Sequence, residues 1–332
     1  MIEPDELRNP SHPDQPDGPR SVNSEGAFQG PAAPGLSPNQ RAWRRFLRHR
    51  PALISGVFLI GVILLVLLWP MVTPYSPLAL SEAQFDPPSA RHWFGTDVHG
   101  RDLLSRMFYG ARISLLVGAV GAGVSLVIGV LWGAVAGYLG GRWDSAMMRF
   151  VDILYSLPSI VFVIVLIATL EGLLKDWLTR LFSPEIGART RLLFLFVGLG
   201  AVSWLTMARI VRGQVLSLRT RGFVEASRAL GASHARILLR HILPNVLGVI
   251  IVYLTLAVPS IILYESFLSY LGLGIQPPQA SLGSLIAEGA AQINPIRMYW
   301  WIIVFPASTL AMTLLALNFL GDGLRDALDP RE

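Results

Sequence analysis

The chain contains no cysteine, which excludes a disulfide framework, a thiolate metal site and a cysteine nucleophile. Lysine is nearly as scarce, because Lys175 is the only one and the remaining basic residues are arginine. Charged residues make up 15% of the 332 positions against 52% hydrophobic, a balance that belongs to a polytopic membrane protein and not to a soluble domain. No G-x-x-x-x-G-K-[ST] loop occurs, so the chain has no nucleotide cradle of that type with which to drive work.

What is present instead is a series of six runs without Asp, Glu, Lys, Arg or His: 52–72, 113–139, 153–170, 192–208, 245–264 and 298–320. Each lies near the roughly 20 residues needed to cross about 30 Å of hydrocarbon. The shortest, 192–208, sits at the lower bound and has room to extend to Ile210. The expected fold class is therefore an all-α polytopic membrane protein with six transmembrane helices. Residues 1–40, rich in Pro, Gly, Asp and Ser with no apolar period, are expected to form a disordered tail. No signal peptide is expected, since the first apolar run begins at Ala52 and is too long for an h-region. That run reads as a retained span.

The net charge of +5 comes from arginines placed beside the apolar runs, so it reports topology and not a nucleic-acid partner. Arg41, Arg44, Arg45, Arg48 and Arg50 precede the first run without an acid among them. Between the fourth and fifth runs, Arg209, Arg212, Arg219, Arg221, Arg228, Arg236 and Arg240 stand against Glu225 alone. Both segments are expected in the cytoplasm. The loops 73–112 and 171–191 mix acids and bases and are expected outside, and six crossings return the C-terminus to the cytoplasm.

None of the six runs carries the paired carboxylates, histidine cluster or buried charge that an intramembrane enzyme or an ion-driven carrier uses. Glu265 and Asp152 are expected only at the edges of the fifth and third spans. Asp97, His99 and Asp102 alternate with Gly95, Gly100 and Arg101 in a way that suits turns and a capped helix better than a metal or acid–base site. No catalytic or metal-binding residue is assigned, and no cofactor is expected. Gly129, Gly133 and Gly137 form a smooth strip at four-residue spacing for close helix approach, either within the subunit or against a partner. Residues 171–182 place Leu173, Leu174, Trp177, Leu178 and Leu181 opposite Lys175, Asp176 and Arg180, as in a helix lying in the outer interface. Pro259 and Pro306 are expected to kink the fifth and sixth spans, and 266–289 reads as a loop folded back on the membrane surface.

The remaining polar stretch, 223–246, reads FVEASRALGASHARILLRHILPNV. Phe223, Ala226 and Leu230 recur at helical spacing and Gly231 follows where a C′ residue belongs. Ser233 suits the N-cap of a second helix, in which Ile237, Leu238, Ile242 and Leu243 share an apolar face. Pro244 marks the start of the next apolar run. The expectation is a compact helical hairpin outside the bilayer.

Glu225, Ala226 and Ser227, then Gly231, then Leu243 and Pro244 resemble the EAA loop of the membrane subunits of ABC importers, written EAA, three residues, Gly, nine residues, I-x-L-P. Ser227 stands for the second Ala, and His241 occupies the Ile position with Ile242 beside it. The run from His92 to Arg106, HWFGTDVHGRDLLSR, is similar to the signature of the C-type subunit of dipeptide/oligopeptide permeases, as are LSYLGLGIQPP and the terminal NFLGDGLRDALDPR. The resemblance implies a type I ABC importer permease fold, with 41–112 as first transmembrane helix and extracytoplasmic linker, 113–322 as transmembrane core, and 323–332 as cytoplasmic tail. In that family the EAA loop docks on a cytoplasmic ATPase, which makes Glu225, Ala226, Ser227, Gly231, Ile242, Leu243 and Pro244 the coupling residues. The implied partners are a second permease in a heterodimer, two ATP-binding cassette ATPases, an extracytoplasmic binding protein and the lipid of a bacterial inner membrane. The implied cargo is a di- or oligopeptide. Nickel chelates or another small solute on the same machinery form the alternative, with an ATP-independent secondary carrier behind them.

Overall fold

The computed structural model describes residues 38–181, 184–294 and 296–328. They form α1 (Pro38–Arg48), α2 (Arg50–Val72), α3 (Leu103–Leu139), α4 (Gly141–Ser156), α5 (Ser159–Leu181), α6 (Pro184–Leu218), α7 (Gly222–Ala229), α8 (His234–Arg236), α9 (Leu243–Tyr270), α10 (Leu282–Ala290) and α11 (Trp300–Leu328). A π-helical turn, Ile237–Ile242, joins α8 to α9. Among the described residues, four helices are long and apolar enough to cross a membrane: Arg50–Val72, Leu103–Leu139, His234–Tyr270 and Trp300–Leu328. Taken as one span, the bent pair Gly141–Ser156 and Ser159–Leu166 adds a fifth. The outside of the bundle is apolar, as lipid requires: on α2 alone Ile54, Val57, Ile60 and Leu67 are all more than half exposed.

Several expected boundaries shift. α1 takes in residues 38–40, assigned above to the tail, while residues 1–37 lie outside the described residues. α11 continues helical to Leu328, through most of the segment expected to be a tail. The run 153–170, expected to be one span, is broken between α4 and α5, whose axes differ by 89°. Pro158 explains the break, because its ring disfavours the helical conformation in the residue before it. Leu157 accordingly sits in the extended region at φ −81°, ψ 135°. The interfacial helix expected over 171–182 is instead the continuation of α5, on which Asp176, Trp177 and Arg180 are exposed. α9 and α11 run on through the buried Pro259 and Pro306.

The linker 73–102 packs as a small polar cap on one end of the bundle. Asp102 caps α3 by accepting from the Ser105 N–H at 2.9 Å, and its other oxygen meets His92 Nδ1 at 3.0 Å. Asp97 accepts from the His99 and Arg101 N–H groups at 2.8 and 3.0 Å, which is the turn chemistry read from the sequence. Arg106, 1% exposed, donates to Asp97 at 2.5 Å and to both carboxyl oxygens of Glu288 at 2.6 and 3.0 Å. The linker, α3 and α10 are thereby tied together. Burial pushes the Asp97 carboxyl up, but the Arg106 guanidinium, the two N–H donors and Arg101 outweigh it and hold the group below the ordinary carboxylate range.

The segment 266–289, expected to be a loop, contains α10. Ser281 and Ser284 exchange side-chain and backbone hydrogen bonds in a capping box, and Leu282 and Leu285 are buried beneath it. Glu265, expected at a span edge, is fully buried within α9, accepting from Ser269 at 2.7 Å and Ser114 at 3.1 Å.

The glycine strip of α3 lies against α6 within the subunit, resolving the choice left open by spacing alone. A Cβ on Gly129 would stand 2.6 Å from Met207 Cβ, one on Gly137 would stand 2.8 Å from the Arg212 carbonyl oxygen, and one on Gly133 would collide with the Ala208 carbonyl oxygen. α3 and α6 form the largest helix–helix interface in the molecule.

Two outcomes are expected. Gly133→Ala must push two backbones apart and should destabilise the bundle by about 1–3 kcal/mol. Gly248→Ala, where nothing lies within 4 Å of the added methyl, should be silent. Thermal melting of the two variants in detergent checks the contrast. The second concerns Asp97, whose depressed folded pKa means that its stabilisation is present above the unfolded value near ~4 and is lost as pH falls below it. Melting temperature should fall below about pH 4 in the wild type. In Asp97→Asn it should be lower at neutral pH and lack much of that acid limb.

Candidate functional site

The hairpin grows from the end of α6. Arg219 donates from its guanidinium to the Gly137 and Tyr138 carbonyls at 3.4 Å, and the chain turns into α7 at Arg221. α7 ends in a Schellman motif: the Gly231 N–H bonds to the Arg228 carbonyl at 3.0 Å and the Ala232 N–H to the Ser227 carbonyl at 3.1 Å. Gly231 holds φ +77°, the left-handed conformation expected of it. Ser233 then caps the next helix by accepting from the Arg236 N–H at 3.4 Å. His234 Nδ1 lies 2.8 Å from the Tyr138 hydroxyl and ties this corner to the end of α3.

The second arm does not stop at Pro244. From His234 to Tyr270 the helix is unbroken, so the hairpin is one short helix folded onto the root of a membrane span. The π turn makes this feasible, because the Leu243 N–H bonds back to Leu238, and Pro244, with no N–H to offer, falls in the first turn of α9.

Burial divides the hairpin into two faces. Val224, Ile237, Ile242 and Val246 are fully buried in one cluster with Val211 and Val215 of α6 and Ala134 of α3. Phe223 and Leu230, read from helical spacing as an apolar stripe, point outward instead, at 43% and 88% exposure, with Leu239 at 62%. α7 is eight residues long and buries only Val224, and the left-handed turn carries Leu230 to the tip. Of the residues assigned to coupling, Glu225, Ala226, Gly231 and Pro244 are exposed, Ser227 and Leu243 are half-buried, and Ile242 is in the core. Ile242 therefore seats the hairpin and cannot touch a partner. Arg228, Arg236 and Arg240 are exposed around the same outer face.

Behind the hairpin, α3, α4, α5, α6 and α9 surround a cavity of about 320 Å³ that sequence reasoning did not find. Its polar lining is hydroxyl: Ser125, Ser159, Ser203, Thr206 and Ser260, joined by Tyr155, Tyr253 and Tyr264. Among the described residues, no charged side chain lines it. Close by, Arg209 lies 4.0 Å over the Tyr155 ring and 2.8 Å from Asp152, a mutually neutralised pair. Ser203 and Thr206 on α6, and Tyr253, Ser260 and Tyr264 on α9, fall at same-face spacing, but within apolar runs so few hydroxyls are ordinary and only the packing of five helices brings them to one space.

A helical membrane body with a seated surface hairpin and a half-open pocket lined by hydroxyls and apolar side chains suits a transport subunit. Residues 129–332 match the family model described as binding-protein-dependent transport system inner membrane component, and residues 37–91 match the N-terminal TM domain of oligopeptide transport permease C. The chain is 48% identical over 302 residues to the oligopeptide transport system permease protein OppC of Escherichia coli (strain K12), covering 90% of this chain and 93% of that one. It is 41% identical over 299 residues to the dipeptide transport system permease protein DppC of Bacillus subtilis (strain 168), covering 90% and 87%. A solved inward-facing structure of the MetNI methionine ABC transporter shares the fold, with TM-score 0.50 and 21% identity over 68% of this chain and 96% of that one. The chain belongs to the family of inner membrane components of binding-protein-dependent transport systems, as a multi-pass transport subunit and not an enzyme.

The hairpin geometry generates an expected outcome. Gly231→Val places its Cβ where nothing lies within 4 Å, so the main cost is the left-handed strain of roughly 1–2 kcal/mol. The subunit should reach the membrane at near-normal level while α7 tilts. Cysteine pairs placed between α7 and α6 in the cluster of Val224 and Val215, tested by cross-linking, should lose efficiency.

Proposed function

We propose that this chain is one of two paired permeases of an ATP-driven importer of di- or oligopeptides in a bacterial inner membrane. The observation that carries the reading is the two-faced hairpin, anchored in the core of α3 and α6 by Val224, Ile237 and Ile242 while it offers Phe223, Leu230 and Glu225 to a partner. A surface loop with no transmitting role has no need of a buried root continuous with a membrane helix. Peptide as cargo rests on the relatives, named oligopeptide and dipeptide permeases at 48% and 41% identity over nine-tenths of this chain. No observation favours the nickel-chelate or secondary-carrier alternatives.

On this reading α6 supplies the sixth crossing and the hairpin faces the cytoplasm, where the arginine excess of its loop belongs. Contacts at both ends of the chain agree: His49 at the root of α2 lies 3.6 Å from Asp326 near the end of α11, which puts both described termini toward the same end of the bundle. Two ATP-binding cassette ATPases would receive the two hairpins of a heterodimer, and a binding protein would deliver peptide to the linker side. Closure of the ATPases would drive the hairpins together, and the seated inner face would hand that motion to α6 and α9. Glu225, Ala226, Ser227 and Gly231 would form the contact, with Leu243 and Pro244 at its base.

The test is uptake of a labelled peptide by the whole importer in proteoliposomes containing ATP. Uptake should require ATP and the loaded binding protein. Glu225→Ala should cut binding-protein-stimulated ATPase activity at least fivefold with the subunit still assembled. If Glu225 serves only the dipole of α7, worth about 0.3–1 kcal/mol, stimulation will be normal and the coupling role of that residue falls. Absence of ATP-dependent peptide uptake in the wild-type complex would overturn the importer reading itself.

A further inference from the structure

The arginines ahead of the first span serve topology in the sequence, and the structure gathers them on a helix with two unlike edges. We propose that α1 lies in the bilayer surface at the hairpin end of the molecule and forms, with the first residue of α2, a binding site for the headgroups of anionic phospholipids. The inference does not depend on what the subunit imports.

Three observations carry it. First, α1 has a seated side and a bare side. It packs on α11 and on α2, with Ala42, Arg45 and Phe46 half-buried. Trp43 and Leu47, four residues apart and so one above the other on the helix, point outward at 61% and 44% exposure. Second, the bare side is divided along its length. At about 100° per residue, Leu47 lies about 40° round the axis from Trp43, whereas Arg44 and Arg48 lie about 100° and 140° round it. Both arginines are exposed, as is Arg50 at the start of α2, and among the described residues no carboxylate pairs with any of the three. Third, the helix sits at the level of the bilayer surface. His49 alone separates it from α2, and Ile54 and Val57, in the first turns of that span, are already 70% and 69% exposed on its lipid-facing outside. The hairpin end is fixed by α11, whose head donates from Trp301 to the Thr96 carbonyl of the linker at 3.2 Å while Asp326 near its foot lies 3.6 Å from His49.

Arginines that set topology alone need no apolar edge beside them. A helix with one apolar and one basic edge sinks the first to the acyl boundary and keeps the second among headgroups, where Trp is favoured and arginine stems can reach upward. Guanidinium meets a phosphate through paired N–H donors. A zwitterionic headgroup brings its own cation to that meeting, so three unpaired guanidinium groups select lipid with net negative charge.

The experiment uses the importer assembled with its partner subunits in bilayer discs of phosphatidylcholine and phosphatidylglycerol in equal parts. A trace of either lipid, carrying a photoreactive group near the top of one acyl chain, is added and activated. Adducts on residues 38–50 are counted by mass spectrometry, with adducts on α2 as the control for insertion. Wild type should give about threefold more adduct from phosphatidylglycerol than from phosphatidylcholine on 38–50. The triple variant Arg44→Gln, Arg48→Gln, Arg50→Gln should bring that ratio close to one, and the matching triple Lys variant should keep most of it. Trp43→Ser should lower adducts from both lipids together and leave the ratio in place. Should the Gln variant fail to assemble, wild type in about 1 M KCl provides a second measurement, because screening at about 3 Å should remove the preference. A wild-type ratio near one, or a ratio that survives both loss of the arginines and high salt, means that α1 holds no anionic headgroup. If α2 is labelled and 38–50 is labelled by neither lipid, α1 is covered by protein and the proposal falls. An importer that takes up no peptide yet shows the expected labelling would sink the importer reading alone.

Discussion

The close approach of α3 and α6 along the glycine strip is the constraint on which the rest of the molecule depends. Gly129, Gly133 and Gly137 let the backbone of α6 come within reach of the backbone of α3, with the Ala208 and Arg212 carbonyls lying where side chains would otherwise be. Lipid offers no hydrophobic force to press two apolar helices together, so contact of this kind is made by shape. Once made, it fixes everything α6 carries. Val211 and Val215 form the floor on which the hairpin sits, and Ser203 and Thr206 face the cavity about one to three turns away. Arg212 grips Asp144 through two hydrogen bonds of 2.5 and 2.6 Å and so pins α4 across the bend at Pro158. Floor, cavity wall and bend are therefore held in register by a single interface.

The hairpin is seated at its root and exposed at its tip, which is what the proposed coupling role asks of it. Its second arm is the root of α9, and α7 packs on that arm through Val224, Ile237 and Ile242. The π turn at Ile237–Ile242 is the one departure from regular helix along that arm, and it directs Ile237 and Ile242 into the same core cluster. Ordinary α spacing would not bring residues five apart onto one face. Pro244 lies immediately beyond it, and its missing donor is absorbed there instead of breaking the span.

The sequence made legible those features that local chemistry decides. Gly231 after a short periodic stretch, Ser233 two residues on, and Asp102 before an apolar run each announce a helix end through a backbone requirement that few residues meet. The long uncharged runs likewise announce membrane helix. Features decided by neighbours were not legible. Phe223 and Leu230 match helical spacing as well as Val224 does, and only the position of α6 determines that Val224 is the one buried. The break at Pro158 was hidden because apolar residues continue on both sides of it, and hydropathy does not sense direction. α10 was hidden for the opposite reason, since its buried face is short and rich in Gly and Ser. Glu265 read as an edge residue because only Ser266 and Ser269 lie beside it on α9, while Ser114 on α3 and Ser281 at the start of α10 complete its surroundings from elsewhere in the chain.

The distribution of charge gives these features a common logic. At the linker end Asp97, Arg101, Arg106 and Glu288 close on one another, and at the hairpin end Arg212 meets Asp144 and Arg209 meets Asp152. Between these two layers the helices carry almost nothing that ionises. A buried ion pair such as Asp97–Arg106 gives little net stability against a well-packed apolar alternative, but removing one partner costs about 3–5 kcal/mol, whereas the more exposed pairs at the hairpin end are worth about 1 kcal/mol or less. Paired charges at each end therefore make poor glue and good registration marks: they penalise any arrangement in which linker, α3 and α10, or α4 and α6, are out of step. A body that is moved by its partners needs such registration at its ends. Among the described residues its middle holds the carboxyl of Glu265, wrapped by serines, and otherwise hydroxyls that give up a hydrogen bond as readily as they make one.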